Sequence, residues 1–302
     1  MQAAPAARRA AVVACARARG VRCFGASAEP DIQVTHYKRS GTGPQRPPLF
    51  IMHGLLGSSS NFRSIAANDK LSGPADVFTI DLRNHGRSGH SRDASIAAMA
   101  DDLLRVASER AGPTGEFDVL GHSLGGKVAM AAALRSPERV RRLVVADISP
   151  VPYDASSSSW QEVSAVVQAV ARTRPQDLTH RSQGQQMLED AGVDPAYRGF
   201  ILQNLVPRKP SGFDWRCNVP VLLDHMAEFA DFPFDPVPSP LSPPQTVFIR
   251  GARSDYVSER LHGAAIERMF PGARIESIEG AGHFVHAEKP AEFIEAVARA
   301  LE

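Results

Sequence analysis

Cysteine is scarce in this chain: there are three in 302 residues, with Cys15 and Cys23 near the start and only Cys217 in the remainder. A lone cysteine cannot close an intrachain disulfide, so the folded part suits a reducing compartment and Cys217 reads as a packing residue. Long apolar runs are missing as well. No stretch reaches the roughly 18 residues that a membrane-spanning helix requires, which excludes a transmembrane segment. Neither sign of charge is in excess, with 34 basic and 33 acidic residues giving a formal net charge of +1. No Cys/His spacing reads as a zinc site.

One local absence matters more. Residues 1–28 contain no Asp or Glu, whereas they hold Arg8, Arg9, Arg17, Arg19 and Arg22 in an alanine-rich background. This is the composition of a mitochondrial transit peptide, a positively charged helix with an apolar face that suits import and not core packing. Arg22-Cys23-Phe24 followed by Gly25 resembles a matrix-protease cleavage site. The competing readings are a disordered tail on a cytoplasmic protein and a plastid address. Without those five arginines the 34 basic residues fall to 29 against 33 acidic ones, a net charge of −4. Nucleic-acid binding then has no electrostatic basis.

The other bulk properties are ordinary. Hydrophobic residues make up 43% and charged residues 22%, close to soluble globular proteins. The length suits one core with a sizeable insertion. Short apolar runs, namely 49–52, 77–80, 117–120, 143–146, 246–249 and 275–278, alternate with helical patterns at 94–111, 124–136, 257–269 and 290–301. Runs of this kind suit strands covered on both faces, so the alternation predicts an α/β fold with a mostly parallel sheet between helices. It breaks between Asp147 and Thr246, where helical patterns start near Ser156–Trp160, at Asp177–Leu188 and at Pro195–Leu205, with no convincing strand. Because the strand-helix order resumes afterwards, residues at about 150–240 read as a helical cap inserted into a single domain of residues 29–302. The proline-rich segment Pro233–Pro244 returns the chain to the sheet.

Gly121-His122-Ser123-Leu124-Gly125-Gly126 follows an apolar run and precedes a helical one. Strand, sharp turn, helix is the setting of a nucleophile elbow, in which flanking glycines remove Cβ atoms that would clash. Ser123 is the candidate nucleophile, placed where a helix N-terminus favours developing negative charge. A hydroxyl needs a base, and His283, in a glycine-rich loop between the last strand and the last helix, matches the chain order nucleophile, acid, histidine. His286 is its competitor. The acid has two candidates: Asp255, just beyond the penultimate strand, is preferred, and Asp147, one strand earlier, is the alternative. The backbone N–H groups of Leu55 and Leu124 are the candidate oxyanion donors. His53, His85 and Asp81 read as loop-bracing residues and not as metal ligands.

From these segments the chain after residue 28 resembles the mitochondrial α/β-hydrolase domain-containing protein 11 family and its bacterial esterase relatives. The resemblance rests on His53-Gly54-Leu55-Leu56-Gly57-Ser58, Asp81-Leu82-Arg83-Asn84-His85-Gly86, the Ser123 motif through Lys127, Asp147-Ile148-Ser149-Pro150-Val151, Trp215-Arg216-Cys217-Asn218-Val219-Pro220, and Gly282 through Pro290. The Trp215 segment lies in the cap and narrows the match from superfamily to family. Matching positions imply Ser123 as nucleophile and His283 as base. Members often lack a carboxylate at the Asp255 position and are assigned the aspartate matching Asp147; others are assigned an acid after the cap tryptophan, where this chain has Pro220. The family implies the α/β-hydrolase fold, hydrolysis of small acyl or lipid-like esters or thioesters, and no metal or organic cofactor. Two alternatives remain: a non-catalytic partner of a mitochondrial enzyme complex, and a cofactor-free C–C hydrolase or acyltransferase using the same residues.

Overall fold

The computed structural model describes residues 29–154, 156–236 and 245–302. The expected transit segment at 1–28 and residues 237–244 of the proline-rich return lie outside them.

The central sheet contains β1 (Val34–Tyr37), β2 (Leu49–Met52), β3 (Val77–Ile80), β4 (Phe117–His122), β5 (Val140–Ala146), β8 (Gln245–Gly251) and β9 (Arg274–Ile278), with β6 and β7 reserved for a hairpin in the cap. Its spatial order is β1-β3-β2-β4-β5-β8-β9. The edge strand β1 runs antiparallel to β3, and every other pair is parallel. β2 shows why the parallel strands read as unbroken apolar runs. Phe50 and Met52 pack into one core cluster, while Leu49 and Ile51 pack into another on the opposite face. Both faces are covered, so alternation with polar residues is lost. Each such side chain contributes about 1.5–3 kcal/mol by leaving water.

The first of those clusters is closed by α1 (Ile96–Ala111) and α2 (Leu124–Arg135), the second by α9 (Pro290–Ala300). α1 begins where the Ser95 side chain accepts the Ala98 N–H at 3.1 Å and ends at Gly112, which has φ of 88°. Its buried residues Ile96, Met99, Ala100, Leu103, Val106 and Ala107 recur every three or four positions, the spacing of one helix face.

Between β5 and β8 the chain builds the cap: α3 (Ser158–Arg172), α4 (Gly184–Asp190), α5 (Pro195–Leu202), the antiparallel hairpin of β6 (Leu205–Pro207) and β7 (Phe213–Trp215), then α6 (Val219–Asp224) and α7 (Met226–Ala230). The hairpin was not visible in the sequence, because three-residue strands are too short to show alternation. The helix expected over 177–188 is a 3₁₀ turn at Arg181–Gln183 leading into α4. Beyond the cap, α8 (Glu259–Met269) connects β8 to β9.

One lysine ties the cap to the helix that starts beside Ser123. Lys127 is 1% exposed, and its Nζ donates to the carbonyl oxygens of Phe229, Ala230 and Asp231 at 2.8, 2.9 and 2.9 Å. A protonated lysine has three donors, one for each carbonyl.

Candidate active site

Among the described residues four non-glycine ones have positive φ: Leu56 at 58°, Asn84 at 65°, Ser123 at 52° and Asp147 at 51°. They follow the carboxyl ends of β2, β3, β4 and β5 in turn, so the strain gathers along one edge of the sheet. Each such conformation costs about 1–3 kcal/mol and persists only where surrounding structure enforces it. At Ser123, with ψ of −120°, the enforcement is close packing on either side. A Cβ on Gly121 would lie 2.1 Å from the Gly125 carbonyl oxygen, and one on Gly125 would lie 2.5 Å from that of His53. The Ser123 N–H donates to the Ala146 carbonyl at 3.0 Å, and its own carbonyl accepts from Gly126 and Lys127 as α2 begins.

His283 follows β9 and donates through Nδ1 to Oδ2 of Asp147 at 2.8 Å. That leaves Nε2 as the nitrogen able to accept a proton. Asp147 is fully buried and also accepts from Ser254 Oγ at 2.5 Å and the Gly251 N–H at 3.0 Å. Three donors from the ends of β8 and β9 thus converge on a carboxylate at the end of β5. The structure pairs His283 with Asp147 and not with the preferred Asp255. Asp255 turns toward the cap and accepts from Ser158 Oγ at 2.8 Å and Ser158 N–H at 3.1 Å. Although partial burial opposes ionisation, hydrogen bonds from Ser159 and Ser158 hold its carboxyl below the ordinary range. It stabilises the N-terminus of α3, where the helix dipole favours an anion.

The remaining histidines are placed otherwise. His286 is stacked on Phe62 with ring centroids 4.4 Å apart, its Nδ1 has no partner, and burial pushes its pKa down to about 3. It remains neutral and pairs with no carboxylate. His122 donates from Nε2 to the His283 carbonyl at 2.9 Å, since a carbonyl can only accept, and burial holds it neutral. His53 donates from Nδ1 to Gly54 O and accepts the Leu82 N–H at Nε2, bracing two loops. Asp81 accepts the backbone N–H groups of Ser59 and Arg87.

Ser123 and His283 line one cavity together with Leu55, and cap residues of α3 and α5 form its roof. Leu124 is the first residue of α2, where an N–H has no intrahelical acceptor. The loop carrying Leu55 is held from the cap by the Asn204 side chain, which donates to Leu56 O at 2.6 Å. Sequence reading missed Ser254, Asn204 and the cap residues of the roof. Ser254 adjoins the favoured Asp255, but nothing in its type or spacing marks it as the partner of Asp147.

A mostly parallel sheet with this order, covered on both faces and capped after its fifth strand, is the architecture of an α/β hydrolase. Residues 47–290 match the family described as alpha/beta hydrolase fold, to which the chain belongs, and within it to the group of ABHD11 lipases and related bacterial esterases. It is 36% identical over 274 residues to sn-1-specific diacylglycerol lipase ABHD11 of Xenopus laevis, covering 90% of this chain and 84% of that one. It is 34% identical over 256 residues to esterase YbfF of Escherichia coli, covering 84% and 92%. The structure of a marine microorganism esterase is similar with a TM-score of 0.81 at 30% identity, covering 89% of this chain and 98% of that one. The chain is a carboxylic ester hydrolase, and no helix among the described residues is long and apolar enough to cross a membrane.

Proposed function

We propose that the chain hydrolyses small or lipid-like acyl esters through a covalent acyl-enzyme on Ser123. The carrying observation is the strained Ser123 in one cavity with His283, whose Nδ1 is bound to the buried Asp147. Ser123 Oγ attacks the ester carbonyl carbon while its proton passes to His283 Nε2. The resulting oxyanion is received by the Leu55 and Leu124 N–H groups. As the intermediate collapses, the C–O bond to the alcohol breaks and His283 returns the proton to that oxygen. A water then attacks the acyl-enzyme with the same proton transfers in reverse, releasing the acid and Ser123. Asp147 holds His283 in the tautomer that accepts at Nε2. The same steps act on a thioester, whose leaving sulfur requires less protonation.

A fluorophosphonate probe tests this reading, because it attaches only to an activated serine. Labelling is expected at Ser123 in peptide mass spectra, together with turnover of p-nitrophenyl esters. An unlabelled protein that still hydrolyses those esters would exclude the mechanism. A parallel panel of acyl thioesters separates the two acyl-donor classes.

Residues 1–28 act as a mitochondrial address in this reading, supported by five arginines and no acid in that stretch. Fused to a fluorescent protein, they are expected to carry it into mitochondria, and a chain starting at Gly25 to stay outside. Cytosolic fluorescence from the full-length fusion would refute this.

A further inference from the structure

A second, smaller cavity meets the first at Ser123, Leu55 and Val163. Its own walls are Leu124, Ile148, Trp160, Phe229, Tyr256 and the stem of Lys127. His283 lines the larger cavity and not the smaller one. Both candidate oxyanion donors border the smaller one.

That asymmetry bears on which end of an ester goes where. In the tetrahedral intermediate the carbonyl carbon carries four groups: Ser123 Oγ, the oxyanion, the acyl chain and the alcohol oxygen. The alcohol oxygen must take its proton from His283 and so lies on the His283 side, as does the water of the second half-reaction. The acyl chain projects away from the histidine, past the oxyanion donors. Resting on the Ser123 reading above, we propose that the small cavity is the acyl site and the large cavity the alcohol site, so that the preferred substrates are short-acyl esters of bulky apolar alcohols.

Trp160 sets the acyl ceiling. It stands in the first turn of α3, half-buried, and closes the small cavity from the cap side, with Tyr256 and Phe229 as the other large walls. Tyr256 is itself fixed: it is 2% exposed and its OH donates to the Ser159 carbonyl at 2.9 Å, so the wall cannot retreat. The large cavity instead is bordered by Phe200 and Tyr197 of α5 and by Phe284, which present apolar rings to an alcohol. Val163 of α3 lines both cavities and separates them.

Two substrate series read the two sites independently: p-nitrophenyl esters from acetate to palmitate, and acetate esters of alcohols from ethanol to naphthol. Wild-type kcat/KM is expected to fall beyond butyrate in the first series and to rise with alcohol size in the second. Trp160→Ala is expected to raise the octanoate-to-acetate ratio by about tenfold or more, in keeping with the discrimination an apolar pocket gives per methylene, and to leave the alcohol series unchanged. Phe200→Ala is expected to lower kcat/KM for the naphthyl ester by roughly fivefold, and to leave the chain-length ratios along the acyl series unchanged. Trp160→Leu repeats the first measurement should the alanine variant melt early. Exchanged effects, with Phe200→Ala moving the acyl series and Trp160→Ala the alcohol series, would overturn the assignment, as would palmitate turned over faster than acetate by the wild type. Failure of the parent reading is separately visible, because Ser123→Ala would then retain turnover in both series.

Discussion

Ser123→Ala is expected to lower kcat for p-nitrophenyl acetate by about 10⁵- to 10⁶-fold, the loss seen when a nucleophile that acts as one unit with its base is removed. The change deletes one oxygen and leaves the backbone as it is, so KM and the folded structure should be nearly unaltered. Ser123→Gly separates chemistry from strain. It should be equally inactive, yet more stable than Ser123→Ala, because glycine adopts φ of 52° without the penalty that any Cβ incurs there. The expected gap is about 1 kcal/mol in thermal or urea unfolding. Activity within tenfold of wild type in either variant would remove Ser123 from the mechanism.

Asp147→Asn should lower kcat by about 10⁴-fold while leaving the fold in place. The amide retains one oxygen, which the Gly251 N–H at 3.0 Å or Ser254 Oγ can still use. Directed at His283, however, its NH₂ group would donate to Nδ1 and move the ring proton to Nε2. A ring protonated at Nε2 cannot accept the serine proton. Asp255→Asn leaves that pairing untouched and should hold kcat within about threefold of wild type. Its effect should fall on stability, about 0.5–1 kcal/mol, through the weakened anion at the N-terminus of α3. Steady-state kinetics on both variants decide between the carboxylates. A large loss confined to Asp255→Asn would reverse the assignment.

The same two aspartates show what a sequence can and cannot tell. Chain order places both just beyond strand ends near the histidine, and nothing local says which side chain turns inward. That is settled by contacts between residues far apart in the chain: Ser158 takes Asp255 from 97 positions away, and Ser254 and His283 take Asp147 from 107 and 136 positions away. The parallel strands were legible because burial on both faces leaves a run such as Leu49–Met52 with no polar residue. β1 was not, because Val34–Tyr37 is a half-exposed edge strand whose two central residues, Thr35 and His36, are exposed. The elbow was legible from its glycines, since close backbone approach leaves no other residue type at Gly121 and Gly125. The cavities were not, because their walls come from α3, α5 and loops of the sheet, and no spacing within one segment encodes how those meet.

The Lys127 anchor has a mechanical consequence. Its ammonium grips three successive carbonyls at the end of α7, so the last part of the cap moves as one body with the helix that begins at Leu124. Any widening of the cap is expected to pivot at that end and to open where α5 borders the cavity of His283. Of the two chambers, the one beside Trp160 and Phe229 is near that anchored end and is expected to keep its size, whereas the one beside Phe200 and Phe284 lies under α5. On the assignment proposed above, the molecule would work like a visor, rigid where it measures the acyl group and yielding where the alcohol comes and goes.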